Sequence, residues 1–252
     1  MPVYSHSRLE TFESCPLKYK FRYIDKIKKE VEGVEAFVGN RVHEVLKKLY
    51  DDLLGGMRNM VDDLLAFYHK RWEAEWGPGI TIVAAGRTPK FYFEYGARCV
   101  RTYFEKYQPF EQSRTLATEE RIDFCLDSGG RYSMTGYVDR IAKREDGTYE
   151  IHDYKTGRWV PTQVEANSSR QLGLYQIGIR GRWKEIGSVE LIWHYVAHGI
   201  TLRSSRLPEQ LVKLCETTST LIDRIEAEKQ FLPHKSRLCD WCEYKPDCPL
   251  WK

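Results

Sequence analysis

Gly136-Tyr137-Val138-Asp139 and, after thirteen intervening residues, Asp153-Tyr154-Lys155 are the stretches on which the reading of this chain turns. Each lies in a short β-rich run, Tyr132 to Lys143 and Thr148 to Tyr154, and a third run, Leu116 to Leu126, precedes them. Ser128-Gly129-Gly130 and Glu145-Asp146-Gly147 separate the runs as turns, which predicts a three-stranded meander. Strand side chains repeat every two residues, so Asp153 and Lys155 share a face, and an adjacent hairpin strand can bring Asp139 beside them. Two carboxylates can hold Mg2+ or Mn2+ through oxygen, and a lysine can orient or help deprotonate a metal-bound water. That is equipment for phosphodiester hydrolysis. Taken alone, a D-x-K tripeptide is more often a surface salt bridge.

Outward from these strands the pattern becomes helical. A helix from about Ser168 to Lys184 carries Gln171 and Tyr175 four residues apart, so both face one way and can reach a phosphate or the nucleophile's hydrogen bonds. Strands Val189 to Ala197 and Ile200 to Ser205 follow, then a long helix from Pro208 to about Lys229. Upstream, Val38 to Leu54 reads as a helix with Val42, Val45, Leu46, Leu49 and Leu53 on one stripe. His43 lies off that stripe's centre and is available as a nitrogen ligand to the same ion. Val61 to Trp76 and Phe91 to Tyr107 read as two more helices. Ser7-Arg8-Leu9-Glu10 fits a capping box that opens a first helix, broken at Pro16. Glu119 or Glu120, on the first strand, adds an acid near the metal, and the pattern does not choose between them. Residues 1–110 are thus mainly helical, 111–207 hold the catalytic sheet and the helix of Gln171, and 208–252 hold the last helix and a cysteine-rich tail.

The 252 residues fit one large domain or two small ones, and 42% AVILMFWYC with 30% charged residues excludes disordered and fibrous classes. Apolar runs of a few residues fall far short of the ~20 that span a bilayer. Met1-Pro2-Val3-Tyr4-Ser5-His6 has no signal-peptide core, so a cytoplasmic protein is expected. A net charge of +3 is mild, but Tyr154 to Lys184 carries Lys155, Arg158, Arg170, Arg180, Arg182 and Lys184 against the single acid Glu165. A polyanion can dock there. Arg158 and Arg170, with Lys18 and Arg22 from the aromatic-interleaved run Lys18-Tyr19-Lys20-Phe21-Arg22-Tyr23, are candidate DNA contacts.

Seven cysteines, an odd number without an export signal, argue against a disulfide framework. Cys239, Cys242 and Cys248 form C-x2-C-x5-C in the last fourteen residues, and Cys15 stands apart near the start. Thiolates so spaced can converge on a soft metal, with Cys15 as fourth ligand. Cys15-Pro16 and Cys248-Pro249 share a feature of ferredoxin-type runs, and a structural zinc site is the alternative. Cys99, Cys125 and Cys215 lie in apolar-patterned segments and read as core thiols.

The order His43, Asp139, Asp153-x-Lys155, Gln171-x-x-x-Tyr175 resembles the PD-(D/E)XK nucleases of the RecB type. The opening, Ser5-His6-Ser7-Arg8-Leu9 through Cys15-Pro16-Leu17-Lys18-Tyr19, is similar to theirs, and the closing C-x2-C-x5-C-P is similar to their iron-sulfur staple. Val138 stands where the family's name places a proline. The resemblance spans essentially the whole chain and is greatest to stand-alone nucleases, among them the CRISPR-associated iron-sulfur exonucleases. It implies an α/β restriction-endonuclease-like core with a mixed central sheet flanked by helices, in one domain over residues 1–252. It also implies a [4Fe-4S] cluster on Cys15, Cys239, Cys242 and Cys248 that joins the chain's two ends. His43, Asp139, Asp153 and the Tyr154 carbonyl would bind Mg2+ or Mn2+, Lys155 would assist the attacking water, and Gln171 and Tyr175 would complete the motif. The implied activity is metal-dependent exonuclease action on single-stranded DNA ends, in DNA repair, recombination or CRISPR adaptation, beside a helicase or CRISPR adaptation proteins. The alternative is a non-catalytic DNA-binding adaptor within such a complex.

Overall fold

The computed structural model describes residues 2–183 and 186–251. Helices come first: α1 (His6–Ser14), α2 (Pro16–Tyr19), α3 (Val34–Leu54), α4 (Val61–Glu75) and α5 (Pro89–Tyr107), with a two-residue parallel pair, β1 (Glu32–Gly33) and β2 (Ile80–Thr81), among them. Then come β3 (Arg114–Cys125), β4 (Ser133–Lys143), β5 (Tyr149–Lys155), α6 (Gln163–Ser168), α7 (Arg170–Arg182), β6 (Val189–Tyr195), β7 (Ile200–Ser204) and α8 (Pro208–Ala227). Two local readings change. The cap of the first helix is Ser5, whose extended backbone lets its Oγ accept the Arg8 N–H at 3.1 Å. Ser7 cannot hold that position, because Tyr4 is paired with β4 through Tyr4 N–H to Ser133 O (2.9 Å) and Thr135 N–H to Tyr4 O (2.7 Å). Chain direction therefore changes at Ser5. The helix expected from Ser168 to Lys184 is two helices that break at Ser169, the first started by a reciprocal Thr162–Glu165 cap. Lys184 lies outside the described residues.

β3 to β7 form one mixed sheet in chain order. β3, β4 and β5 are the expected antiparallel meander, β5 and β6 are parallel across the α6–α7 crossover, and β7 returns antiparallel. A crossover of that length is what a parallel step requires. On one face, Leu172, Tyr175 and Ile179 of α7 pack on Ile122, Val138, Ile151, Leu191 and Trp193. On the other, the buried stripe Val38, Val42, Val45, Leu46 and Leu49 of α3 packs with Tyr68, Tyr103 and Tyr154. Because both faces are covered, β5 is buried from Tyr149 to Tyr154. A third cluster joins Tyr4 and Phe12 to Leu174, Leu221 and Ile222, tying α1 to α7 and α8. Among the described residues, no helix is long and apolar enough to cross a membrane.

The cysteine-ligated centre is corrected. Among the described residues, the one group of three or more His, Cys, Asp or Glu side chains with ligand atoms within 4.8 Å of one another is His43, Glu119 and Asp139, and it contains no cysteine. Cys15, Cys239, Cys242 and Cys248 border one small cavity without converging in this way, and all seven thiols are free. Neither the [4Fe-4S] cluster nor the zinc site is supported, and with them goes the iron-sulfur subgroup as the point of resemblance. The two ends of the chain do meet, by other means. Lys18 (2.9 Å) and Arg22 both pair with Glu243, Lys29 lies 2.5 Å from Asp247, and the Tyr244 hydroxyl donates to Ile27 O at 2.8 Å. The sulfurs of Cys15 and Cys239 instead accept backbone N–H groups of His234 and Ser236, each at 3.4 Å. Of the three expected core thiols, Cys99 is buried, Cys215 is half-buried and Cys125 is exposed.

Candidate metal centre and active site

The site forms where β3 and β4 break the alternation of a regular strand. Val138 packs on α7, yet Arg140, two residues on, stacks over the Tyr50 ring of α3 at 4.1 Å. Thr118 bonds Asp51 of α3, yet Glu120 pairs with Arg182 of α7. Both strands thus change phase at one cross-strand position, occupied by Glu119 and Asp139. Glu119 adopts φ +46°, a left-handed backbone that costs a non-glycine residue about 1–3 kcal/mol and is concentrated at functional sites. The consequence is that two carboxylates from neighbouring strands turn toward α3. His43 meets them there, with Nδ1 3.5 Å from Asp139 Oδ1 and 3.9 Å from Glu119 Oε1.

The β4–β5 ladder ends at Arg140 opposite His152, so beyond it the backbone of Tyr154 has no strand partner on that side. Side chains take over. Asp139 Oδ2 accepts the Tyr154 N–H at 2.7 Å, and His43 Nε2 stands 2.8 Å from the Tyr154 carbonyl oxygen. His43, Asp139 and Tyr154 are therefore together, and Glu119 joins them while Glu120 is turned away. Nothing in the strand's sequence marks Glu119, since simple alternation gives neighbouring glutamates opposite faces without saying which face holds the site.

The second half of the site lies on the α7 face. Lys155 Nζ donates to Asp153 Oδ1 at 3.1 Å and to Gln171 Oε1 at 2.9 Å, and Gln171 Nε2 donates to the Tyr175 hydroxyl at 3.4 Å. Asp153 is buried outside the three-residue group. Its Oδ2, 2.8 Å from the lysine nitrogen but at a poor angle, has no hydrogen-bond partner among the described residues. Tyr175 packs against β4 at Gly136, where a Cβ would stand 2.6 Å from its ring. Behind the site, Arg140, Glu150, His152 and His194 form a buried polar network that sequence reading missed. In it the Arg140 guanidinium lies 2.8 Å from His152, and His152 lies 2.9 Å from His194.

Electrostatics couple the two halves. Desolvation opposes a charge on His43, but Asp139, as ion pair and hydrogen-bond partner, and Glu119 outweigh it and hold the imidazole well above its usual value. Burial raises the Asp139 carboxyl, His43 pulls it down and Asp153 pushes it up, with the net shift upward. Lys155 is likewise raised, because Asp153 overcomes its desolvation. Burial pushes the Tyr175 phenol up to about 12. An imidazole and two carboxylates whose ligand atoms lie within 4.8 Å of one another, with the Tyr154 carbonyl on the imidazole's other nitrogen and a buried Asp153 oxygen that lacks a hydrogen-bond partner among the described residues, are donors suited to a hard divalent cation.

The basic residues are mostly met by internal partners. Arg170 pairs with Glu13 (3.1 Å), Arg180 donates to the carbonyls of Ile186 and Gly187, and Arg182 pairs with Glu120. Arg158 stacks over Phe91 and Tyr95, and Lys18 and Arg22 face Glu243 in the tail.

A mixed α/β sheet that carries these acids and the lysine, with the imidazole on the helix packed over it, defines a restriction-endonuclease-like protein with a candidate metal site. The sequence model of the PD-(D/E)XK nuclease superfamily matches residues 3–249, and the chain belongs to that superfamily. It is also similar to one component of an ATP-dependent helicase/deoxyribonuclease from Carboxydothermus hydrogenoformans, 28% identical over 173 residues. That match covers 61% of this chain and 16% of the relative. A solved structure of a candidate exonuclease from Eubacterium rectale superposes with a TM-score of 0.54 over 96% of this chain and 87% of that one. At 13% identity it speaks for the fold alone.

Proposed function

We propose that the chain is a divalent-metal-dependent deoxyribonuclease that acts as an exonuclease on single-stranded DNA ends, with residues 1–252 as one nuclease domain. The observation that carries this reading is the convergence of His43, Glu119 and Asp139 beside the Asp153–Lys155 pair. His43, Glu119, Asp139, Asp153 and the Tyr154 carbonyl would hold Mg2+ or Mn2+. The ion, when bound, would supply Lewis acidity at the phosphate and lower the pKa of an attacking water. Lys155, kept cationic by Asp153, stabilises negative charge on phosphate oxygens, and Gln171 fixes the direction of its ammonium. Tyr175 in turn fixes the Gln171 amide. The name of the Carboxydothermus relative supports DNA as substrate and a helicase as partner.

The test is digestion of end-labelled single-stranded, duplex and circular DNA with Mg2+ or Mn2+, wild type beside Asp153→Ala. Loss of linear but not circular DNA, abolished in the variant, is expected. Cleavage of circles would overturn the exonuclease reading. Salt-dependent DNA binding without cleavage under any divalent ion would favour the adaptor.

A further inference from the structure

We infer that the cavity walled by the start of α1, by β4 and by α7 is a binding site for a single terminal nucleotide, distinct from the metal-ligand group. This deepens the nuclease reading and rests on it. The cavity holds about 310 Å3, and Ser5, His6, Ser7, Tyr137, Gln171 and Tyr175 are among its walls. Gln171 accepts the hydrogen bond from Lys155 at 2.9 Å, so one side chain separates the cavity from the proposed catalytic lysine. Its volume stands at the lower end of small-molecule sites, about 300–1,000 Å3. One nucleotide fits that space and a duplex does not.

The wall chemistry suits that occupant. No carboxylate is among the lining residues, which offer serine hydroxyls, an amide, an imidazole and phenols. Two cations stand behind them, each already paired with a carboxylate, Arg170 with Glu13 and Lys155 with Asp153. Arg170 Nε donates to His6 Nδ1 at 3.5 Å, while Glu10 lies 3.8 Å away on the ring's other nitrogen. Hydroxyls, an amide and an imidazole fit a phosphate as neutral hydrogen-bonding partners. Tyr137 supplies the other half. It lines the cavity and is 55% exposed, on the strand face opposite the buried Gly136 and Val138, so its ring stands at the rim at the open edge of β4, where a base can stack. The wall is also fixed before any ligand arrives, because the two Tyr4 backbone bonds pin Ser5 to Ser7 against β4. Room for one nucleotide beside the lysine favours reaction at a chain end over reaction at an internal position.

The test titrates metal-free protein with thymidine 5′-monophosphate, thymidine 3′-monophosphate and inorganic phosphate by calorimetry. One of the two nucleotides should bind at a single site, and more tightly than phosphate. Tyr137→Ala should weaken that binding about tenfold, the loss of one base–aromatic stack, and Tyr137→Phe should retain it. Tyr137 is exposed, so circular dichroism of both variants should match wild type. Absence of saturable binding by either nucleotide, or equal affinity in folded Tyr137→Ala, would overturn the site. Neither metal nor cleavage enters this measurement, so DNA left intact by every divalent ion would fail the nuclease reading while leaving the nucleotide result to stand or fall by itself.

Discussion

The two halves of the site are built by opposite means. Asp153, Lys155, Gln171 and Tyr175 occupy positions that regular structure prescribes, two apart on a strand and four apart on a helix, and hydrogen bonds link them in that order. His43, Glu119 and Asp139 come together because two strands depart from regularity at one position and a helix from early in the chain lies over the departure. One half is thus a product of local periodicity and the other of a strained, shared defect. Regular elements hold the lysine with little conformational cost. The α3-side half is maintained only while the surrounding core over-determines Glu119's backbone.

The largest effect that can break this comparison is loss of a carboxylate. Asp139→Ala should abolish cleavage and also destabilise the fold by about 1–3 kcal/mol, since the Tyr154 N–H is left unpaired. Asp153→Ala should abolish cleavage as well, with the Lys155 ammonium released from its pair. Nuclease assays beside urea melts separate the two. Equal stability of both variants would remove the distinction drawn between the halves.

Next is the choice between the neighbouring glutamates. Glu119→Gln should weaken Mn2+ binding about 10-fold or more by calorimetric titration. Glu120→Gln should leave it unchanged, because Glu120 only pairs with the exposed Arg182, an interaction worth about 0–1 kcal/mol. Equal losses would place the metal group elsewhere. Glu119→Gly sharpens the point. Glycine accepts positive φ without strain, so the variant should gain up to about 1 kcal/mol in stability while losing metal affinity.

A smaller effect is the pH dependence of the metal-free protein. Unfolded, His43 titrates near 6.5, whereas in the fold its value is raised, so the folded chain holds that proton more tightly. The stabilisation is complete below about pH 6.5 and is lost as pH rises through the folded value. The raised Asp139 acts with the same sign at acid pH. Melting temperatures of metal-free protein should therefore fall as pH climbs above about 6.5, and His43→Gln should flatten that decline.

Particular residues show where sequence reading succeeds. The stripe of α3, the meander and the D-x-K face follow from periods of 3.6 and 2, which depend only on near neighbours. Local pattern places the first cap at Ser7 rather than Ser5, because it cannot register that Tyr4 is held by β4, more than a hundred residues away in sequence. The cysteine tail misleads for a related reason. Its spacing matches a metal signature, but whether four sulfurs converge depends on how the ends approach, and here they approach through Glu243, Asp247 and Tyr244.

By itself, the sequence determined the three-stranded meander, the stripe of α3, the face shared by Asp153 and Lys155, and the helical pairing of Gln171 with Tyr175. Each follows from backbone geometry repeating over a few residues. Only the tertiary structure decided that Glu119 rather than Glu120 joins His43 and Asp139, that Arg140 and His152 are buried together, and that Tyr137 and Ser7 wall one cavity. Those outcomes depend on the phase at which two strands meet and on the helix packed over them, and no local repeat encodes either.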